Sequence, residues 1–213
     1  MLAATFLISS GASAAAPEPV VDGNQIVDSA TGDQFVPHGV NFPGYEYACK
    51  QGWNYGEEGT RPAEIASTVA GIASWNINTV RLPLNQDCWL GDDGLPAGPG
   101  RTVAGYRQSV EDFVNALNEA GIVAIVDIHW SGPDGVVADG LRPMPDNRSP
   151  AFWSSVATTF KDNPSVIFDL FNEPHSRWNA DDTKVFGLKL NCSTALSRCL
   201  AVSFSGRSSG SRR

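Results

Sequence analysis

The chain has 213 residues and a mass of 22.7 kDa, enough to bury one sizeable core. With 42% hydrophobic and 18% charged residues it is neither a disordered chain nor a coiled coil. A formal net charge of −8 excludes a general nucleic-acid binder, which needs a basic face to offset phosphates, and a polybasic membrane anchor.

The chain opens on a short apolar run, Leu2 to Ile8, followed by the small-residue patterns Ala12-Ser13-Ala14 and Ala14-Ala15-Ala16. Residues 1–16 therefore read as a secretory signal peptide, which predicts an extracellular protein. No later stretch reaches 18 apolar residues, so no membrane span is expected.

Val20 to Val27 and Gln34 to Val36 flank a Gly-containing turn and predict a hairpin. Val36 to Asn41 reads as the next strand. Pro62 to Ser74 predicts a helix, with Ile65, Val69, Ile72 and Ala73 at helical spacing. Asn78 to Leu82 predicts a strand stopped by Pro83. After a Gly/Pro-rich loop, Gly91 to Arg101, comes a helix over Tyr106 to Ala120, capped by Gly121. Ile122 to Ile128 is an almost continuous apolar run, the mark of a strand buried on both faces. Ser149 and Pro150 open a third helix, Ser149 as its cap. Val166 to Phe171 predicts a further buried strand.

Cys49 and Cys88 each fall in a loop-like stretch after a strand. They form either a disulfide, if the two strands are neighbours, or two buried thiols. No Cys-x-x-Cys or His-x-x-x-His spacing is present, so neither a metal nor a cofactor is expected.

Alternating strands and helices predict an α/β fold with a parallel sheet: either an open doubly wound sheet or part of a (β/α)8 TIM barrel behind the hairpin. The open sheet calls for a Gly-rich phosphate loop after its first strand, and Gly39 to Gly44 has no Gly-x-Gly-x-x-Gly. Polar residues instead stand at the carboxyl ends of successive strands, where barrel enzymes keep their chemistry: Asn41, Arg81, Asp127-x-His129 and Asn172-Glu173-Pro174. Alternation along a strand places Asp127 with His129, and Asp169 with Phe171 and Glu173. A carboxyl group between apolar walls there has its ionised form disfavoured and can serve as a proton donor.

The stretches His38-Gly39-Val40-Asn41, Asn78-Thr79-Val80-Arg81-Leu82-Pro83, Val126-Asp127-Ile128-His129-Trp130 and Phe168 to Pro174 together resemble glycoside hydrolase family 5, over about residues 20 to 180. The resemblance implies a secreted, retaining endo-β-1,4-glycanase, cellulase foremost. Mannanase, xylanase or other β-glucanase activity, or a non-catalytic carbohydrate-binding remnant, are the alternatives. It implies Glu173 as acid/base, Asn172 on the sugar 2-OH, Arg81 beneath the site and His129 lining the subsite of the attacked sugar. The partner is a β-linked polysaccharide or oligosaccharide. Its flat sugar faces suit the aromatic rings of Trp53, Trp89, Trp130 and Trp178; Trp75 and Trp153, on or beside helices, suit packing.

A retaining mechanism needs a second carboxylate about 5 Å from the first. In the family it comes from the seventh strand, and after Glu173 the chain has only Asp181 and Asp182, so no nucleophile is found. Residues 17–182 thus read as the N-terminal part of a barrel, truncated after about four βα units. Residues 183–213 carry six basic residues and no acid, against nine bases and 23 acids in the remainder. That basic tail reads as a shifted reading frame or a truncated gene, and the chain is expected to fold poorly and to lack hydrolase activity.

Overall fold

In the computed structural model the described residues are 15–91 and 102–174. Two antiparallel strands come first, β1 (Pro19–Asp22) and β2 (Gln25–Asp28). The sequence reading takes Val20 to Val27 as one strand, but it folds back at Gly23-Asn24. Gly23 has φ +59°, the conformation a two-residue hairpin turn demands. The predicted turn at Asp28 to Asp33 also forms: Asp28 N–H donates to Asp33 O at 2.9 Å, and Val27 bridges Gln34.

A four-stranded parallel sheet follows, ordered β3 (Gly39–Asn41), β4 (Thr79–Asn85), β5 (Val123–Trp130) and β6 (Val166–Asp169). β3 is shorter than predicted because Pro37, without an N–H, interrupts the run. β4 runs on through Pro83, where a stop was expected. Arg81 O faces β3, accepting from Phe42 N–H at 2.8 Å. By the two-residue period Pro83 faces the same side, where β3 has already ended, so the missing N–H breaks no ladder bond.

The helices are α1 (Ala48–Gln51), α2 (Ile65–Ala73), α3 (Gln86–Leu90), α4 (Val103–Glu119) and α5 (Ser149–Phe160). Thr102 caps α4 through the Gly105 N–H, and Gly121 turns the chain out at φ +81°. The N-cap position of α5 is Arg148, not Ser149, and Asp146 Oδ1 just before it accepts from the N–H groups of Arg148 and Ser149 at 2.8 and 3.1 Å. Ser149 is the first helical residue and is buried.

Strand positions alternate between two environments. Val80, Leu82, Leu84, Ala124, Val126, Ile128, Val166 and Phe168 join the core against the helices, with Val110, Phe113, Val114, Phe152 and Trp153. On the opposite face Phe35 and Ile26 from the hairpin region pack on Val123, Ile125 and Ile167 and cover its lower half. The upper half of that face carries Arg81, Asp127, His129 and Asp169. Among the described residues no helix is long and apolar enough to cross a membrane.

Candidate active site

Arg81 organises the carboxyl ends of the strands. Its Nη2 donates to Asp127 Oδ2 at 2.8 Å, to Asp169 Oδ2 at 3.1 Å and to Asn172 Oδ1 at 2.8 Å; Nε also reaches Asp169 at 3.3 Å. Nη1 lies 3.5 Å from Asn41 Oδ1. One planar guanidinium thus ties four strand ends together, a task its fixed fork of donors suits better than a lysine ammonium. The register makes this possible: Asn41 pairs Arg81, and Asp127 pairs Asp169, on adjacent parallel strands.

Asp127 is wholly buried, and its Oδ2 also meets His129 Nδ1 at 2.9 Å. Both residues face the same way, as a two-residue separation on a strand requires. Burial pushes the Asp127 carboxyl above its ordinary range, against the opposing hydrogen bond from His129 and the charge of Arg81. Its Oδ1 has no hydrogen-bond partner among the described residues. The hydrogen bond between Asp127 Oδ2 and His129 Nδ1 fixes the orientation of the imidazole ring.

A second buried acid, Glu46, stands near this pair and is absent from the sequence-based site. It lies in the segment after β3, with Oε2 accepting from Gly44 N–H at 2.6 Å. Burial raises its carboxyl, and the charges of His129 and Asp127 act on it in opposite senses. The rule that chemistry gathers at strand ends applies to β3 as much as to β4 to β6, so the acid in Gly44-Tyr45-Glu46-Tyr47 carried a usable signal.

Asn172 and Glu173 differ from expectation. β6 ends at Asp169, so the alternation drawn through Phe171 to Glu173 does not hold. The chain bends, Asn172 N–H donates to Ile128 O at 3.1 Å, and Glu173 adopts φ +44°, a left-handed conformation costing a non-glycine residue about 1 kcal/mol. Asn172 is therefore the residue whose side chain meets Arg81. Glu173 is exposed rather than enclosed by apolar walls, because β6 is the edge strand of the described sheet.

The tryptophans divide differently as well. Trp89 is in the core, not on a sugar-facing loop: α3 turns it inward against Tyr106, Phe152 and Phe160, with Nε1 donating to Ser155 Oγ at 3.0 Å. Trp153 packs in the core as expected, but Trp75 is 61% exposed, since α2 ends before it. Trp130 is half-buried next to His129, and Trp53 is exposed. Trp178, the predicted signal peptide up to residue 14 and the basic tail lie outside the described residues. Cys49 and Cys88 are joined as a disulfide, in the short helices α1 and α3 instead of loops.

A parallel sheet with helices on one face and polar residues gathered at its strand ends defines an α/β protein with its chemistry at the carboxyl edge of the sheet. The family model for cellulase (glycosyl hydrolase family 5) matches residues 29–196, and the chain belongs to that family of glycoside hydrolases, whose architecture is the (β/α)8 barrel. Among curated relatives, cellulase/esterase CelE of Acetivibrio thermocellus is 25% identical over 166 residues, covering 72% of this chain and 20% of that protein. Endo-beta-1,4-glucanase B of Emericella nidulans is 31% identical over 122 residues, covering 57% and 33%. Among solved structures, the catalytic domain of the major endoglucanase from Xanthomonas campestris superposes with a TM-score of 0.58 at 21% identity, over 78% of this chain and 49% of that one. The chain thus spans half or less of the length of these relatives.

Proposed function

We propose that the chain carries the proton-donor side of a retaining endo-β-1,4-glucanase site in an exported protein. The observation that carries this reading is the three-way grip of Arg81 Nη2 on Asp127, Asp169 and Asn172. It orients Asn172: with Oδ1 held by the guanidinium, the amide Nδ2 is the group assigned to donate to the sugar 2-hydroxyl. The next residue, Glu173, protonates the glycosidic oxygen and later takes a proton from water. His129, with Nδ1 on Asp127, presents Nε2 to a hydroxyl of the attacked sugar, and Trp130 beside it supplies a ring.

Asp127 and Asp169 are both committed to Arg81, so neither serves as the attacking carboxylate. In this reading the acids gripped by Arg81 serve recognition, and Glu173 is the proton donor. That commitment favours a second reading for the described residues, binding of β-glucan without turnover. The names of the curated relatives support glucan over other β-linked polysaccharides.

Titration of the 213-residue chain with cellotetraose, together with reducing-end release from carboxymethylcellulose, tests both readings. Binding is expected in the unmodified chain and in Glu173→Gln, about tenfold weaker binding in Asn172→Ala, and release at background in all. Release above background in Glu173→Gln overturns the donor assignment.

A further inference from the structure

Three consecutive polar side chains, Asn85, Gln86 and Asp87, are wholly buried where β4 passes into α3. Apolar residues would cost less to bury there, since a hidden polar group needs a partner for its donors and acceptors. All three reach into one segment, residues 131–148, which leaves β5 directly after His129 and Trp130. That segment forms neither helix nor strand along its length.

Asp87 Oδ2 accepts from Ala138 N–H at 2.7 Å, and the same carboxylate pairs with Arg148 Nη1 at 2.9 Å and Lys50 Nζ at 3.2 Å. Gln86 Nε2 donates to Gly132 O at 2.9 Å, and its Oε1 accepts from Ser149 Oγ at 3.3 Å. Asn85 Nδ2 donates to Ala138 O at 2.8 Å and to Glu46 O at 2.7 Å, while its Oδ1 accepts from Cys88 N–H at 3.1 Å. Two carbonyls require donors and one N–H an acceptor, so a single orientation of the amide satisfies all three. One amide hydrogen goes to the connection after β3 and the other to the connection after β5, so the side chain spans the end of β4 and fixes the distance between its neighbours. Ala138, wholly buried, is held by both its N–H and its C=O. The segment also closes on itself: Asn147 Nδ2 donates to Asp134 Oδ2 at 2.6 Å, and Arg142 donates to Ser131 O and Val137 O at 3.1 Å.

We propose that Asn85, Gln86 and Asp87 clamp residues 131–148 as a preformed wall of the glucan site, and that Asn85 is the positioning residue that sets the spacing of this wall from the segment carrying Glu46. A long connection of irregular backbone in a compact domain is as a rule either functional or disordered, and the clamp removes the disorder. A wall already in place spares the ligand the entropic cost of ordering it. The inference rests on the β-glucan reading above for the class of ligand.

The test is amide hydrogen exchange at Ala138, read by NMR, with calorimetric titration by cellotetraose, for the unmodified full chain, Asn85→Ser, Gln86→Leu and Phe35→Ala. Serine keeps an acceptor to cap α3 and loses both bridging donors, and leucine keeps the apolar bulk of the glutamine. In the free unmodified chain the Ala138 amide is expected to be protected, with little added by cellotetraose. Asn85→Ser and Gln86→Leu are each expected to speed its exchange and to raise Kd, by about fivefold for Asn85→Ser with its two lost hydrogen bonds. Phe35→Ala lowers global stability away from the clamp and is expected to leave Kd unchanged. An unprotected Ala138 amide in the free unmodified chain overturns the preformed wall, a result that needs no variant to fold. Unchanged Kd in variants whose Ala138 amide exchanges faster, raised Kd with that protection intact, or an equal rise in Phe35→Ala overturns the positioning role. Failure of the unmodified chain to bind overturns the β-glucan reading and the positioning role with it, while protection at Ala138 reports the clamp by itself.

Discussion

Arg81 and Asp127 show how one residue's burial sets the properties of another. Asp127 is enclosed; burial disfavours its ionised form, and Arg81 and His129 act against that shift. Replacing Arg81 by Met leaves a buried carboxylate without its cation, a loss of about 3 kcal/mol or more. Urea titrations should show that loss shrinking at low pH, because protonation of Asp127 removes the uncompensated charge. Glu46 shifts in the same direction. Its folded-state pKa is raised, so the fold binds its proton more tightly than the unfolded chain does, and stability falls as pH rises from the ordinary carboxylate range through the raised value. Glu46→Gln keeps an acceptor for Gly44 N–H and has nothing to ionise. Its stability relative to the unmodified chain should grow between pH 4 and pH 7 and level off at the acidic end. A pH-independent difference between the two proteins sinks this account. At this scale Arg81, His129 and Asn172 were legible because each stands at a strand end beside a recognisable partner. Glu46 was legible only as an acid after a strand end, since nothing local in Gly44 to Tyr47 announces its burial.

Elements are held to one another by few, identifiable ties. The Cys49–Cys88 bridge closes a separation of 39 residues, and its removal by the double Cys→Ser change is expected to cost about 4 kcal/mol on the loop-entropy estimate, read from denaturant midpoints. Trp89 and Trp53 provide a contrast within the same residue type. Trp89→Ala empties a site among Tyr106, Phe152 and Phe160 and should cost about 4 kcal/mol, whereas Trp53→Ala should change stability by less than about 0.5 kcal/mol. The helical stripes of α2, α4 and α5 were readable because a 3.6-residue period leaves a mark in the text. Trp89 was not, because the five-residue α3 is too short to show a period, and only packing reveals which way its ring turns. Pro83 misled for a related reason: its missing N–H matters only if a neighbouring strand faces it, and β3 ends too soon.

For the whole molecule, a sheet whose helix-free face is polar in its upper half and covered by Phe35 and Ile26 in its lower half depends on that hairpin region for part of its apolar cover. Phe35→Ala should lower stability by about 3 kcal/mol and leave the Arg81 network in place, a pairing checked by denaturation together with cellotetraose titration. The sequence by itself determined the alternation of strands and helices, the parallel sheet, the family and the polar strand ends. These are local: periods of 2 and 3.6 and short motifs persist in the text whatever the chain packs against. Only the tertiary structure decided that Asp127, Asp169 and Asn172 share a single guanidinium nitrogen, that Glu46 is buried beside them, that Trp89 is core while Trp53 meets solvent, and that Glu173 leaves its strand in a left-handed turn. Each of those depends on residues about 40 to 90 positions apart meeting across the sheet or between loops, a distance over which sequence spacing carries no directional information.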